Sequence, residues 1–306
     1  MANQADIQAT YDWMDRIFRL RLGEHADITC AFFDGDFSKS LEQAQNDKHE
    51  WVLQGLGFKP GMRVLDVGSG WGPMLRAIEA RGGSAVGLTL SQAQLDVCLR
   101  DGLDARLMDW KAADPATLGT FDAVISIGAL EHFCSPEEFL AGEQDRIYTD
   151  LFRFCSAVLP PRGRFYLHMM TWGKRVPDPR ACTLDAPKES DERILGRLLK
   201  FYPGSWLPTA EQLIRDAAGS FTFLSTNNGR KDYIETLNRW GASGRNLFRL
   251  KNIPATLRAF AHLLPRLSER DFRTQLSSLW HNDQQESFIR EIMSHERMFF
   301  EKLPAQ

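Results

Sequence analysis

The chain has 306 residues, enough for one large domain or two small ones and for a sizeable buried core. With 43% hydrophobic and 25% charged residues it is neither disordered nor low-complexity, and its net charge of −3 offers no basic excess for a nucleic-acid partner. No apolar run approaches the roughly 20 residues of a membrane span, and five scattered cysteines without CxxC spacing argue against a disulfide framework and a structural zinc site.

In chain order, the opening residues show no basic stretch followed by an apolar one, so a secretory leader is not expected and the cytoplasm is the expected location. Residues 1–60 read as an amphipathic helical cap. Residues 61–170 alternate short apolar runs with helical stretches. Arg63–Val67 reads as a buried strand, Gly68–Gly72 as a glycine-rich turn and Pro73–Arg81 as a helix with proline at its first turn. A second strand is expected at Ser84–Leu90, followed by a helix to Arg100 capped by Ser91. Further strands are expected at Ala105–Met108, Phe121–Ile127 and Arg164–Met169, with one long helix over Pro136–Val158. Strands alternating with helices imply a mostly parallel, Rossmann-like α/β sheet. Residues 173–192 are Pro-rich and polar and read as a loop. Residues 171–306 are expected to supply an acceptor-pocket insertion, the end of the sheet and C-terminal helices, all within one integrated domain.

A strand, a glycine turn and a helix can hold a nucleotide-like ligand, because glycine admits close backbone approach and the helix N-terminus offers free N–H groups. The spacing here is GxGxG, and a plain tight turn is the alternative. The second strand ends at Thr89-Leu90-Ser91, without the carboxylate that a dinucleotide ribose wants. No GK[ST] follows the turn, so a phosphate-cradling loop is absent. Asp109-Trp110, closing the third strand, suits an adenine: Trp110 for stacking, Asp109 for its amine. An adenosine without phosphates, S-adenosylmethionine (SAM), fits.

The chain resembles the cyclopropane-fatty-acid and mycolic-acid cyclopropane synthases, a branch of the class I SAM-dependent methyltransferases. The resemblance covers about residues 10–240. It rests on Tyr11-Asp12, Thr29–Phe33, Ser40–Lys48, Leu56–Gly72, Gly87–Gln94, Ser126–His132, Leu167-His168, Tyr202–Pro208 and Tyr233–Trp240. It implies SAM contacts at Thr29, Gly68, Gly70, Thr89, Leu90, Gln94, Trp110 and Ile127. It also implies methyl transfer to a carbon–carbon double bond through a carbocation, with bound bicarbonate as base. The implied holders are Cys30, Glu131, His168 and Tyr233, with Met170 as the backbone contact. A small anion there offsets cation charge and serves as a general base. Each residue also has a packing alternative: Cys30 as a buried small hydrophobe, Glu131 as a helix cap or surface carboxylate, His168 as a core histidine, Tyr233 as packing. His132, beside Glu131, sits where related small-amine N-methyltransferases keep a base.

Two departures stand out: Ile28-Thr29 replaces the family's Tyr-Ser before the cysteine, and Ser69 replaces its cysteine in the glycine turn. The resemblance implies an alkene-bearing lipid as acceptor, giving a cyclopropane or a methyl branch, and the departures sit where acceptor choice would be made. The alternatives are an isoprenoid or other small hydrophobic alkene, N-methylation of a small amine, and SAM binding without catalysis. Asn252–Leu267, apolar with Arg258, His262 and Arg266, reads as a packed helix with a basic edge, or as a face for peripheral membrane contact.

Overall fold

The computed structural model describes residues 27–304 of the chain. Tyr11-Asp12 and the first 26 residues of the expected N-terminal cap lie outside the described residues.

Seven strands form one sheet in the order β3-β2-β1-β4-β5-β7-β6. Strands β1 (Arg63–Val67), β2 (Ser84–Thr89), β3 (Ala105–Leu107), β4 (Ala123–Ile127) and β5 (Arg164–Trp172) run parallel. Strands β6 (Phe221–Asn228) and β7 (Met293–Lys302) complete the sheet antiparallel. Strand order reverses between β1 and β4, so the loops at their carboxyl ends part and leave a crevice, the usual ligand position in such sheets.

Helix α1 (Leu41–Leu56) starts at a capping box, in which Ser40 and Gln43 satisfy each other's free amides. Its Trp51 packs on Tyr166 and Phe299 of the sheet, with ring centroids 5.8 and 5.0 Å away. Helices α2 (Pro73–Glu79) and α3 (Gln92–Arg100) follow β1 and β2; Ser91 caps α3 as expected. Short α4 (Pro115–Leu118) leads into β4.

Three expectations are corrected. Pro136–Val158 is not one helix: Ser135 and Glu138 cap a short α5 (Pro136–Leu140), Gly142 then turns at φ +76°, and α6 (Gln144–Ala157) begins afresh. Glycine in the left-handed region ends a helix, because no Cβ opposes that turn. Within residues 27–60, helix begins only at Leu41; Asp27–Ser40 is irregular chain. The described C-terminal part ends not on helices but on β7, inserted between β5 and β6.

The two sheet faces bury different material. Phe165, Leu167, Met298 and Phe300 join Phe152 and Phe221 in an aromatic-rich core beneath α6. The opposite face of β5 and β7 carries Tyr166, His168, Met170, His295, Arg297 and Phe299, because paired antiparallel residues share a face: Met170 is opposite His295, and His168 opposite Arg297. Over its carboxyl edge lies the region between β5 and β7. It contains α7 (Asp191–Phe201), α8 (Ala210–Ala217), α9 (Arg230–Ala242), α10 (Ile253–Leu263), α11 (Arg270–Trp280) and α12 (Asp283–Ile289). Its own core joins Leu195, Trp206, Tyr233 and Phe288 to Cys30.

Candidate active site

Two cavities meet at the carboxyl edge of the sheet. The larger, about 340 Å³, is lined by the β1–α2 glycine turn, the ends of β2 and β4, and the segment around Thr29. All eight residues assigned to SAM line it: Thr29, Gly68, Gly70, Thr89, Leu90, Gln94, Trp110 and Ile127. The Thr89 hydroxyl donates to Gln94 Oε1 at 2.9 Å, so the two polar groups that replace a ribose carboxylate are already linked. Trp110 is buried against Phe133 and Phe154. Asp109 also lines the cavity, while its carboxylate caps the following turn through the Lys111 amide.

A buried ion pair anchors the Thr29 side of this cavity. Lys48 donates to Asp27 and, at 2.6 Å, to the Thr29 hydroxyl; His49 Nε2 lies 3.1 Å from the same carboxylate. Burial opposes ionisation of Asp27, but the charges and hydrogen bonds of Lys48 and His49 outweigh it and hold the carboxyl well below its usual range. Nearby Asp66 has no such partner, and burial pushes its carboxyl up to about 8.

The second cavity is apolar, walled by Met170, Trp172, Leu195, Leu198, Leu199 and Met293. Glu131 and Tyr202 also border it, and His132 lines both cavities. The turn after β4 places Glu131 there, 3% exposed. Its Oε1 accepts from the Met170 amide at 2.8 Å; its Oε2 is buried with no partner. Burial pushes the carboxyl up to about 7, against the pull of that amide.

The other assigned residues gather on the polar sheet face. His168 Nδ1 lies 3.0 Å from the Tyr166 hydroxyl, leaving Nε2 buried and unpartnered. Burial drives its imidazole well below its ordinary range, so the ring is neutral. Burial also pushes the Cys30 thiol up to about 11. That thiol donates weakly to the Ala31 and Gly229 carbonyls. Tyr233 enters from α9, its hydroxyl accepting from Gln284 Nε2 at 3.4 Å. The Met170 amide, assigned to an anion, donates instead to Glu131. His132 Nδ1 faces Ser205 Oγ at 2.8 Å.

Sequence reasoning gave no role to Asp27, Lys48, Asp66, Gln284, His295 or Arg297. Gln284 ties Tyr233, Tyr202 and the Met170 sulfur together. Lys48 falls inside a quoted motif, where its spacing on α1 was the available signal. His295 and Arg297 alternate on β7, a segment read as helical, and alternation carries no weight in a helix.

The sequence model of a family described as mycolic acid cyclopropane synthetase matches residues 1–280. Cyclopropane mycolic acid synthase 2 of Mycobacterium leprae is 33% identical over 253 residues, 78% of each chain. Methoxy mycolic acid synthase MmaA3 of Mycobacterium tuberculosis is 31% identical over 250 residues, 78% of this chain and 80% of its own. The crystal structure of mycolic acid cyclopropane synthase CmaA1 with SAH and CTAB superposes at a TM-score of 0.76 with 27% identity, covering 98% of both chains.

Proposed function

The chain belongs to the mycolic acid cyclopropane synthetase family and is a SAM-dependent methyltransferase, and from that premise we propose that it methylates a carbon–carbon double bond in an unsaturated acyl chain. The observation that carries this reading is the apolar cavity meeting the cofactor cavity at His132, with Glu131 beside it. An alkene is a weak nucleophile with no polar handle, so its site must hold it by shape in apolar surroundings. SAM, when bound, supplies an electrophilic methyl group. Relatives named for cyclopropane and methoxy mycolic acids, and a neighbour holding the long-chain amphiphile CTAB, support an acyl acceptor.

The residues fit a small anion. Glu131 Oε2 and His168 Nε2 are buried without partners, and such groups cost free energy unless something completes them. Cys30, Glu131, His168 and Tyr233 would hold bicarbonate, which when bound would supply negative charge opposite a carbocation and an oxygen base for its departing proton. Around it, His168 stays neutral and Tyr233 stays protonated, so both act as donors. The Met170 amide fixes one Glu131 oxygen and leaves the other to take a proton. Apolar walls keep water out, which strengthens each charge interaction and protects a cation from capture.

The same reading includes a peripheral membrane contact. Among the described residues no helix is long and apolar enough to cross a membrane. Between residues 243 and 268 there are five Arg or Lys and no Asp or Glu, alongside exposed Phe248, Leu250, Leu257 and Leu264. Apolar side chains amid an excess of positive charge, of which only part is balanced by the Arg266–Glu269 pair, suit an anionic bilayer that would carry the acyl substrate.

The test is incubation with methyl-labelled SAM and a panel of unsaturated phospholipids, isoprenoids and amines, with products read by mass spectrometry. A methylene or methyl gain on acyl lipid, lost in Glu131→Gln, is expected; NMR then separates ring from branch. Labelling of amines alone overturns the alkene reading.

A further inference from the structure

We propose that His295 is a further ligand of the anion, an inference that rests on the bicarbonate reading above. Strand β7 puts both side chains on the face of the sheet that carries His168 and Met170. His295 is 1% exposed and Arg297 0%. Burying such groups is costly unless their polar atoms find partners.

Arg297 finds them for its two terminal nitrogens, while its Nε is buried without one. It donates to Asp232 at 2.9 Å, Asn227 Oδ1 at 2.8 Å, the Ala31 carbonyl at 2.8 Å and Cys30 Sγ at 3.3 Å. The guanidinium thereby fixes the Cys30 loop against β7. His295 has ring contacts in place of such bonds. Its ring meets His168 edge-on at 4.3 Å and Tyr233 at 5.1 Å, and its Nδ1 is buried without a partner. A residue needed only to fill this space would be apolar, as Phe299 is one step along the same face.

Cys30 Sγ and one ring nitrogen from each of His168 and His295 all lie within 4.8 Å of one another. Three such atoms are also a metal-ligand set. Arg297 weighs against a metal, because its N–H donates to the sulfur at 3.3 Å and engages the lone pair a metal would need, although Asp232 balances much of the guanidinium charge. The fold makes room for this arrangement deliberately: a Cβ on Gly229 would stand 2.5 Å from His295 Nδ1 and 2.8 Å from Arg297 Cζ. Only glycine lets the start of α9, which carries Tyr233, close over the pair.

The experiment is titration of the purified protein with ¹³C-bicarbonate, read by ¹³C NMR line broadening. It is run on wild type, His295→Leu and His295→Gln, with SAM affinity measured in parallel. His295→Leu is expected to weaken bicarbonate roughly tenfold, the size of one hydrogen bond to a charged group, with SAM affinity unchanged; His295→Gln, which keeps an N–H donor, restores most of it. Where His295→Leu does not fold, His295→Asn, polar but shorter, takes its place with the same expectation. Unchanged bicarbonate affinity in these variants overturns the proposal while leaving the bicarbonate reading intact. No binding to wild type removes the bicarbonate reading itself. Stoichiometric zinc in the purified protein, lost in His295→Leu, overturns it in favour of a metal.

Discussion

The main-chain amide of Met170 donates to Glu131 Oε1 at 2.8 Å, while the carboxylate's other oxygen is buried and unpartnered. One strand of the sheet thus holds half of a carboxyl group and leaves the other half without a partner. The carboxyl sits at about 7 because burial disfavours its charge more than one amide favours it.

The sign of the pH dependence follows. Below the unfolded value of 4.5 both states carry the proton and Glu131 costs nothing; between 4.5 and about 7 only the unfolded state gives it up, so stability falls as pH rises and the loss is complete above about 7. Glu131→Gln is therefore expected to stabilise the protein by about 3 kcal/mol at pH 8 and by almost nothing at pH 4, measured by urea unfolding at both pH values. The same variant loses methyl transfer, and wild-type kcat/KM rises with pH to a plateau above about 7. A flat profile from pH 6 to 8 would remove Glu131 as the proton acceptor.

Lys48 and Asp27 form a buried pair under the cofactor cavity. Lys48→Met leaves an uncompensated carboxylate and is expected to cost about 3–5 kcal/mol, measured by denaturant unfolding. Adding Asp27→Asn should recover much of that loss. Asp27 is held below its usual range, so the pair stabilises the protein above the unfolded carboxyl value and is lost as pH falls.

Gly68 adopts φ +90°, and a Cβ there would stand 2.3 Å from Ala129 Cβ. Gly68→Ala is expected to cost about 2 kcal/mol and to weaken SAM more than tenfold by shifting the turn that lines the cavity. At Gly70, φ is +55° and nothing lies nearer than 3.9 Å. Gly70→Ala should cost only about 1 kcal/mol. Calorimetric SAM binding checks both, and an unchanged affinity in Gly68→Ala would contradict the assigned contact.

Leu195 walls the apolar cavity. Leu195→Trp should lower kcat/KM for an unsaturated acyl substrate roughly tenfold or more, with SAM affinity unchanged. An equal loss of SAM binding would place the acceptor elsewhere.

Phe248, Leu250 and Leu257 are 72%, 88% and 64% exposed. Changing all three to Ser should leave the thermal midpoint in place and reduce co-sedimentation with anionic vesicles about tenfold or more. Undiminished sedimentation would move the membrane contact to another face.

The sequence determined the parts that local physics controls. Arg63–Val67 forms the strand it reads as, and Ser91 caps its helix, because burial period and capping act over a few residues. The glycine turn was legible in the same way, whereas the eight residues proposed for SAM came from the family resemblance, and Thr29 among them lies in irregular chain that no local pattern ties to the turn. Breaks were less legible. Gly142 splits an expected helix, although one glycine within a helical pattern is also tolerated. What only the tertiary structure decided is how distant elements share one space. Cys30, His168, Tyr233 and His295 come from a loop, two strands and a helix, and no local pattern places them together. His295 and Arg297 fall on the site's face only because β7 pairs antiparallel with β5 in a register opposing Met170 and His168. Register is fixed by the whole sheet, since a slip of one residue would turn both side chains to the opposite face.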